Sequence, residues 1–183
     1  MKICMTDWFH TIAQKYGISG TLSKEIISSY IEYNIQKVIS GERVVIPGIV
    51  SVLPKYQTAS YFTTPAYDCS VIARNKHLSE VAVNGIVFSF IETVRQSLLD
   101  GDTVSLRGLC TLSIVTKDDV TTIYVDISRA LVGKLKEIDS SARAKVDVKL
   151  RREIARKFNT TEESQEKAVD EALLSRLTAG AMA

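Results

Sequence analysis

The chain has 183 residues, 45% of them hydrophobic, and its 23 lysines and arginines against 21 acidic residues leave a net charge of +2. That length is enough to bury a sizeable core, and the near balance of charge provides no overall attraction for nucleic acid. Three cysteines without a Cys-x-x-Cys pair, no apolar run of membrane-spanning length and no signal-peptide core argue against a disulfide scaffold, a membrane protein and a secreted one.

The predicted elements begin with a short helix, with Thr6 as N-cap and Phe9, Ile12, Ala13 and Tyr16 as its buried stripe. Trp8 stands beside Phe9; one ring of the pair is expected in the core and the other at its edge. An aromatic left exposed there marks a protein interface, which makes Trp8 an interface candidate. After a turn at Gly17-Ile18-Ser19, a longer helix carries Ile26, Ile27, Tyr30, Ile31, Val38 and Ile39 on one face and stops at Gly41. Val44, Ile46, Val50 and Val52 then alternate about Pro47-Gly48, the pattern of a β-hairpin with a tight turn.

The pattern returns without a gap at an offset of 60 residues. Ile12-Ala13-Gln14-Lys15 falls on Ile72-Ala73-Arg74-Asn75, and the long helix reappears with Ile86, Val87, Phe90, Ile91, Leu98 and Leu99 before Gly101. Val104, Leu106, Cys110 and Leu112 alternate about Arg107-Gly108 as a second hairpin. Beyond it, Ile154 to Asn159 echoes Ile12 to Gly17. A capping box at Thr160-Thr161-Glu162-Glu163 then opens a helix bearing Val169, Ala172, Leu173 and Leu177. The expected organisation is a first repeat over residues 1–66, a second over 67–139, and a C-terminal helical extension over 140–183 that resembles a truncated third repeat.

Chemistry-bearing patterns are sparse. His10 and His77 have no acidic or cysteine partner at ligand spacing, Cys110 occupies the strand position of Val50, and no phosphate loop, nucleophile elbow or zinc motif occurs. A non-enzymatic protein without cofactor, metal or small-molecule substrate is expected. Lysine and arginine balance aspartate and glutamate one for one over residues 1–142, so basic residues concentrate only from Arg143 to Lys157. Read as one helix, Lys145, Lys149, Arg152 and Arg156 line one side, with Arg151 and Lys157 alongside. This stripe is either a nucleic-acid contact, joined by Lys55, Arg74 and Lys76, or a partner-facing or solvated surface matched to Glu162, Glu163 and Glu166.

Helix pair, Gly-acidic, strand, Gly, strand: GERVVIPGIVSVL and GDTVSLRGLCTLS resemble the HU/IHF family of DNA-bending proteins, and the whole run from Leu78 to Ile114 aligns to the family pattern without a gap. Ser128-Arg129-Ala130-Leu131 and Lys134-Leu135-Lys136 resemble that family's closing helix. The resemblance implies an α+β fold of tandem HU/IHF-like repeats. They would pair within the chain as a pseudo-dimer or, alternatively, with repeats of another chain, and would carry a C-terminal helical hairpin. Family members grip DNA with long, arginine-rich β-arms tipped by proline. Here Lys117-Asp118-Asp119 replaces one arm, and Pro54 to Ala66 holds one lysine and no arginine. The resemblance therefore points to two functions. One is protein–protein assembly of a homo-oligomer, as in the IHF-like virion proteins of crAss-like tailed phages, in a neck or tail ring. The other is weakened, non-specific binding to duplex DNA. The expected location is a reducing cytoplasm, or the virion of a phage.

Overall fold

The computed structural model describes residues 5–55 and 69–158, the backbone alone at the margins of those segments. It is an α+β protein with six helices and two antiparallel three-stranded sheets among the described residues. The first helix, α1 (Met5–Tyr16), buries Trp8, Phe9, Ile12 and Ala13. It starts before Thr6, which therefore lies inside the helix and is not its cap. The second, α2 (Gly20–Ile39), is capped by Ser19, whose hydroxyl accepts from the Leu22 N–H at 3.1 Å. Its far end closes through Gly41 N–H to the Val38 carbonyl at 3.1 Å and Glu42 N–H to the Lys37 carbonyl at 2.9 Å. That double bond pattern needs a left-handed residue, and Gly41 supplies it at φ 88°.

Strands β1 (Val44–Ile46) and β2 (Val50–Lys55) form the first hairpin, turning at Gly48 with φ 73°. The second set keeps the 60-residue offset: α3 (Ser70–Lys76), α4 (Glu80–Leu99), β3 (Val104–Leu106) and β4 (Cys110–Lys117). Ser79 caps α4 as Ser19 caps α2, Gly101 repeats the closure of Gly41, and Gly108 repeats the turn of Gly48. His77 takes the left-handed place of Gly17, at φ 53° against 63°.

The third strands complete the two sheets by different routes. In the second sheet, β5 (Val120–Ile127) follows β4 directly, through a two-residue turn whose Asp118 and Asp119 both have positive φ, 50° and 63°. After the helix α5 (Arg129–Ile138) the chain crosses back, and β6 (Arg143–Val148) pairs with β2 of the first sheet, Val50 opposite Val148 and Lys55 opposite Arg143. A last helix, α6 (Arg151–Phe158), follows. The segment from Arg143 to Lys157, expected as one helix, is thus a strand and a helix, and the extension from residue 140 is not purely helical. The physical reason is its period: Ala144, Val146 and Val148 alternate with Arg143, Lys145 and Asp147, which suits a strand with one buried face. The expected helix over residues 160–177 lies outside the described residues.

The two parts share one core. Tyr30 and Phe90, equivalent positions of the repeat, meet edge-on with ring centroids 6.4 Å apart where α2 packs on α4. The closing helices cross over: α5 packs on α2 and β6, and α6 on β5 and α4. Leu131 and Leu135 anchor α5, while Leu150 and Ile154, with the same spacing of four, anchor the start of α6. Matching backbone bonds tie these entries to the hairpin turns, Ser128 N–H to Leu109 O at 2.9 Å and Lys149 N–H to Ile49 O at 2.8 Å.

Candidate interaction surfaces

The change from helix to strand redistributes the basic residues. On β6, Arg143 and Lys145 project from the outer face of the first sheet, with Asp147 on the same face. Arg43, just before β1, reaches across this face to donate to the Ser51 hydroxyl at 3.2 Å. Lys145 sits opposite Leu53, and Lys55 opposite Arg143 at the end of β2. Arg151, Arg152 and Arg156 are exposed on α6. The single stripe expected for Lys145, Lys149, Arg152 and Arg156 is therefore divided between a sheet face and a helix.

Several of the cations are engaged within the chain. Lys149 pairs with Asp147, and Lys76 on α3 pairs with Glu25 on α2 at 2.7 Å. Lys157 reaches Asp100 at the end of α4 at 3.1 Å, and Glu153 pairs with Arg95 on α4. The hydrogen bond from Lys157, followed by one from Gln96, holds the Asp100 carboxyl below its ordinary pKa. Lys145, Arg151, Arg152, Arg156 and Arg74 have no ion-pair partner among the described residues. Glu162, Glu163 and Glu166, the expected counter-charges, lie outside those residues.

The outer face of the second sheet has different chemistry. Ser105, Thr111 and Asp126 form one cross-strand row, Ser113 and Tyr124 the next, Val115 and Thr122 a third. Tyr124 is 57% exposed and Val115 is also open to solvent. Equivalent strands thus present cations on one sheet and hydroxyls with an aromatic ring on the other. Strand periodicity in the sequence identifies the buried residues and says little of this face, whose signal is the alternation of Thr111, Ser113, Val115 and of Thr122, Tyr124, Asp126.

Trp8 is not an exposed interface residue. It is 7% exposed and its ring lies 6.2 Å from Phe90, because Trp8 and Phe9 both turn inward on the first helix. The exposed large apolar side chains lie elsewhere, with Val81 82% and Phe88 64% exposed on α4.

Among the described residues no group of three or more histidines, cysteines and acidic residues could hold a metal, and no helix is long and apolar enough to cross a membrane. Cys110 is buried, and that burial, reinforced by the nearby Asp126 charge, raises its thiol pKa to about 12, so the thiolate is suppressed. A shallow cavity of about 310 Å³ between α5 and β6 is lined by Val132, Lys136, Ser140, Ser141, Arg143 and neighbouring alanines. No protein-family model, no curated protein and no solved structure matches this chain.

Proposed function

We propose that the chain is a non-enzymatic assembly subunit. Its body would be an intrachain HU/IHF-like pseudo-dimer, in which β6 and α6 complete the first half and β5 and α5 the second. The observation that carries this reading is the turn at Asp118-Asp119. Where the resembled family extends a DNA-gripping arm, β4 and β5 close through two acidic residues. A body built this way would keep the fold and, at the β4–β5 turn, lack that means of holding a duplex. The unlike faces of the two sheets add support. A surface that differs between related halves favours heterologous contacts between copies, and such contacts generate rings or filaments. A ring at the neck or tail of a phage particle is the specific assembly to which the sequence resemblance points.

Duplex DNA binding is the second reading, and Arg43, Arg143 and Lys145 on the first sheet, with Arg151, Arg152 and Arg156 on α6, are the observation in its favour. One experiment separates them: DNA binding by the full chain at low and moderate salt, beside particle mass by light scattering. Assembly predicts ring-sized particles and no measurable duplex binding. Salt-sensitive binding that disappears when Arg143, Lys145, Arg152 and Arg156 become glutamine would overturn it, because phosphate contacts lose affinity steeply with salt.

A further inference from the structure

The two halves meet twice through the same pair of positions. Along the 60-residue repeat, Tyr16 at the end of α1 is equivalent to Lys76 at the end of α3, and Gly85 in α4 to Glu25 in α2. Because α1 packs on α4 and α3 on α2, residue 16 faces residue 85 and residue 76 faces residue 25. The two contacts differ in chemistry. At the first, the Tyr16 hydroxyl donates to the Gly85 carbonyl at 2.7 Å and lies 2.9 Å from the Ser89 hydroxyl, which also accepts from Lys15 Nζ at 3.1 Å. The ring uses the space that glycine leaves: a Cβ on Gly85 would come within 2.9 Å of Tyr16 Cε1 and 3.0 Å of its hydroxyl. At the second, Lys76 Nζ and Glu25 form an ion pair at 2.7 Å.

We propose that these contacts make pairing selective, so that a first repeat accepts only a second repeat as its partner. In a pair of first repeats, Tyr16 would meet Glu25, whose Cβ stands where the ring must lie, and the symmetry of such a pair would impose that overlap twice. A ring swung aside would give up its bond to the facing backbone. In a pair of second repeats, Lys76 would face Gly85 and lose its carboxylate, with the space of the ring left void. Arg95, the equivalent of Ile35, would also be brought to the Gly108 turn. There the Ile35 methyl packs so closely that a Cβ on Gly108 would lie 3.0 Å from it. A guanidinium would thus replace a buried isoleucine. Only the mixed pair satisfies every contact, and like pairs are rejected by misfit, which is how related partners are told apart. The selectivity rests on the repeat and the shared core, and holds whether the protein assembles rings or binds DNA. Copies of the chain are kept from joining like to like, and meet through other surfaces or by exchanging unlike repeats.

Melting of full-chain variants tests this, because single substitutions reproduce the like contacts inside one molecule. Gly85→Glu sets the first repeat's residue before Tyr16. It should lower Tm by about 3 °C or more, although removing a helical glycine would by itself raise Tm by about 2 °C. Gly85→Ala, the gentler variant, should lower Tm as well. In the Tyr16→Lys background Gly85→Glu should raise Tm instead, and by more than Gly85→Gln does, with the excess fading at high salt as an ion pair does. The other contact gives the mirror result. Lys76→Tyr sets a ring before Glu25 and should lower Tm, and adding Glu25→Gly should then raise it. In the wild type Glu25→Gly should lower Tm, as glycine does within a helix. Neutral or stabilising effects of Gly85→Glu and Gly85→Ala in the wild type would overturn the proposal. So would equal gains from Gly85→Glu and Gly85→Gln beside Tyr16→Lys, or a Glu25→Gly effect of the same sign in both backgrounds.

Discussion

At Gly108 the turn of the second hairpin presses on the first long helix: a Cβ built there would come within 3.0 Å of the Ile35 terminal methyl. Gly48, its equivalent in the first hairpin, has nothing within 4 Å. Both need positive φ, at 85° and 73°, so an alanine at either site is strained. Gly48→Ala should therefore cost on the order of 1 kcal/mol, the backbone term alone. Gly108→Ala should cost about 1 kcal/mol more, because Ile35 must move in a close-packed core. Denaturant unfolding of the two variants would show the gap. Equal losses would mean that Ile35 gives way freely. Phe90 shows how tightly the residues of the two repeats interlock, since it touches both Trp8 and Tyr30. Burial in this region also drives the Tyr30 hydroxyl pKa up to about 12.

Among the elements, α6 is held at its base by the buried Leu150 and Ile154 and along its length by pairs to α4 through Glu153 and Lys157. These pairs are exposed and contribute little singly. The lowered Asp100 pKa gives one of them a pH signature. A depressed carboxyl stabilises the fold above its ordinary pKa and loses that contribution as pH falls through the depressed value. The Tm difference between the wild type and Lys157→Met should be present at neutral pH and close in acid. A difference that persists in strong acid would mean that Lys157 acts by packing instead. How much of this was legible in the sequence follows from periodicity. The helices and hairpins of both repeats were, because a long run of apolar residues at a fixed spacing is hard to mistake. Strand β6 was not: its six residues carry three charges, and the basic positions also fit a helical spacing that runs on into the true helix. The burial of Trp8 is not legible either, because two adjacent rings cannot be ranked for burial by spacing alone, and here both turn inward. The unlike outer faces needed the register, which pairs Ser113 with Tyr124 and Leu53 with Lys145.

For the molecule as a whole, the crossing of α5 and α6 makes each half depend on the other. Val148, Leu150 and Ile154 are buried, and each contributes on the order of 2 kcal/mol. Together they approach the whole stability of a typical domain, about 5–15 kcal/mol. A chain ending at Ala142 should therefore lose cooperative unfolding and expose β2 as an unpaired edge, whereas one ending at Phe158 should keep it. Circular dichroism melts of the two truncations test this, and a cooperative transition in the shorter chain would show that β6 is dispensable. The same strand sets an order on synthesis. All three strands of the second sheet leave the ribosome in succession, within Val104–Ile127, whereas the first sheet has its opening hairpin early and waits for Arg143–Val148. Non-local pairing is slow and leaves an edge bare meanwhile. The N-terminal half, although made first, is the last to close, and until then its survival in the cell rests on how long β2 stays unclaimed by another chain.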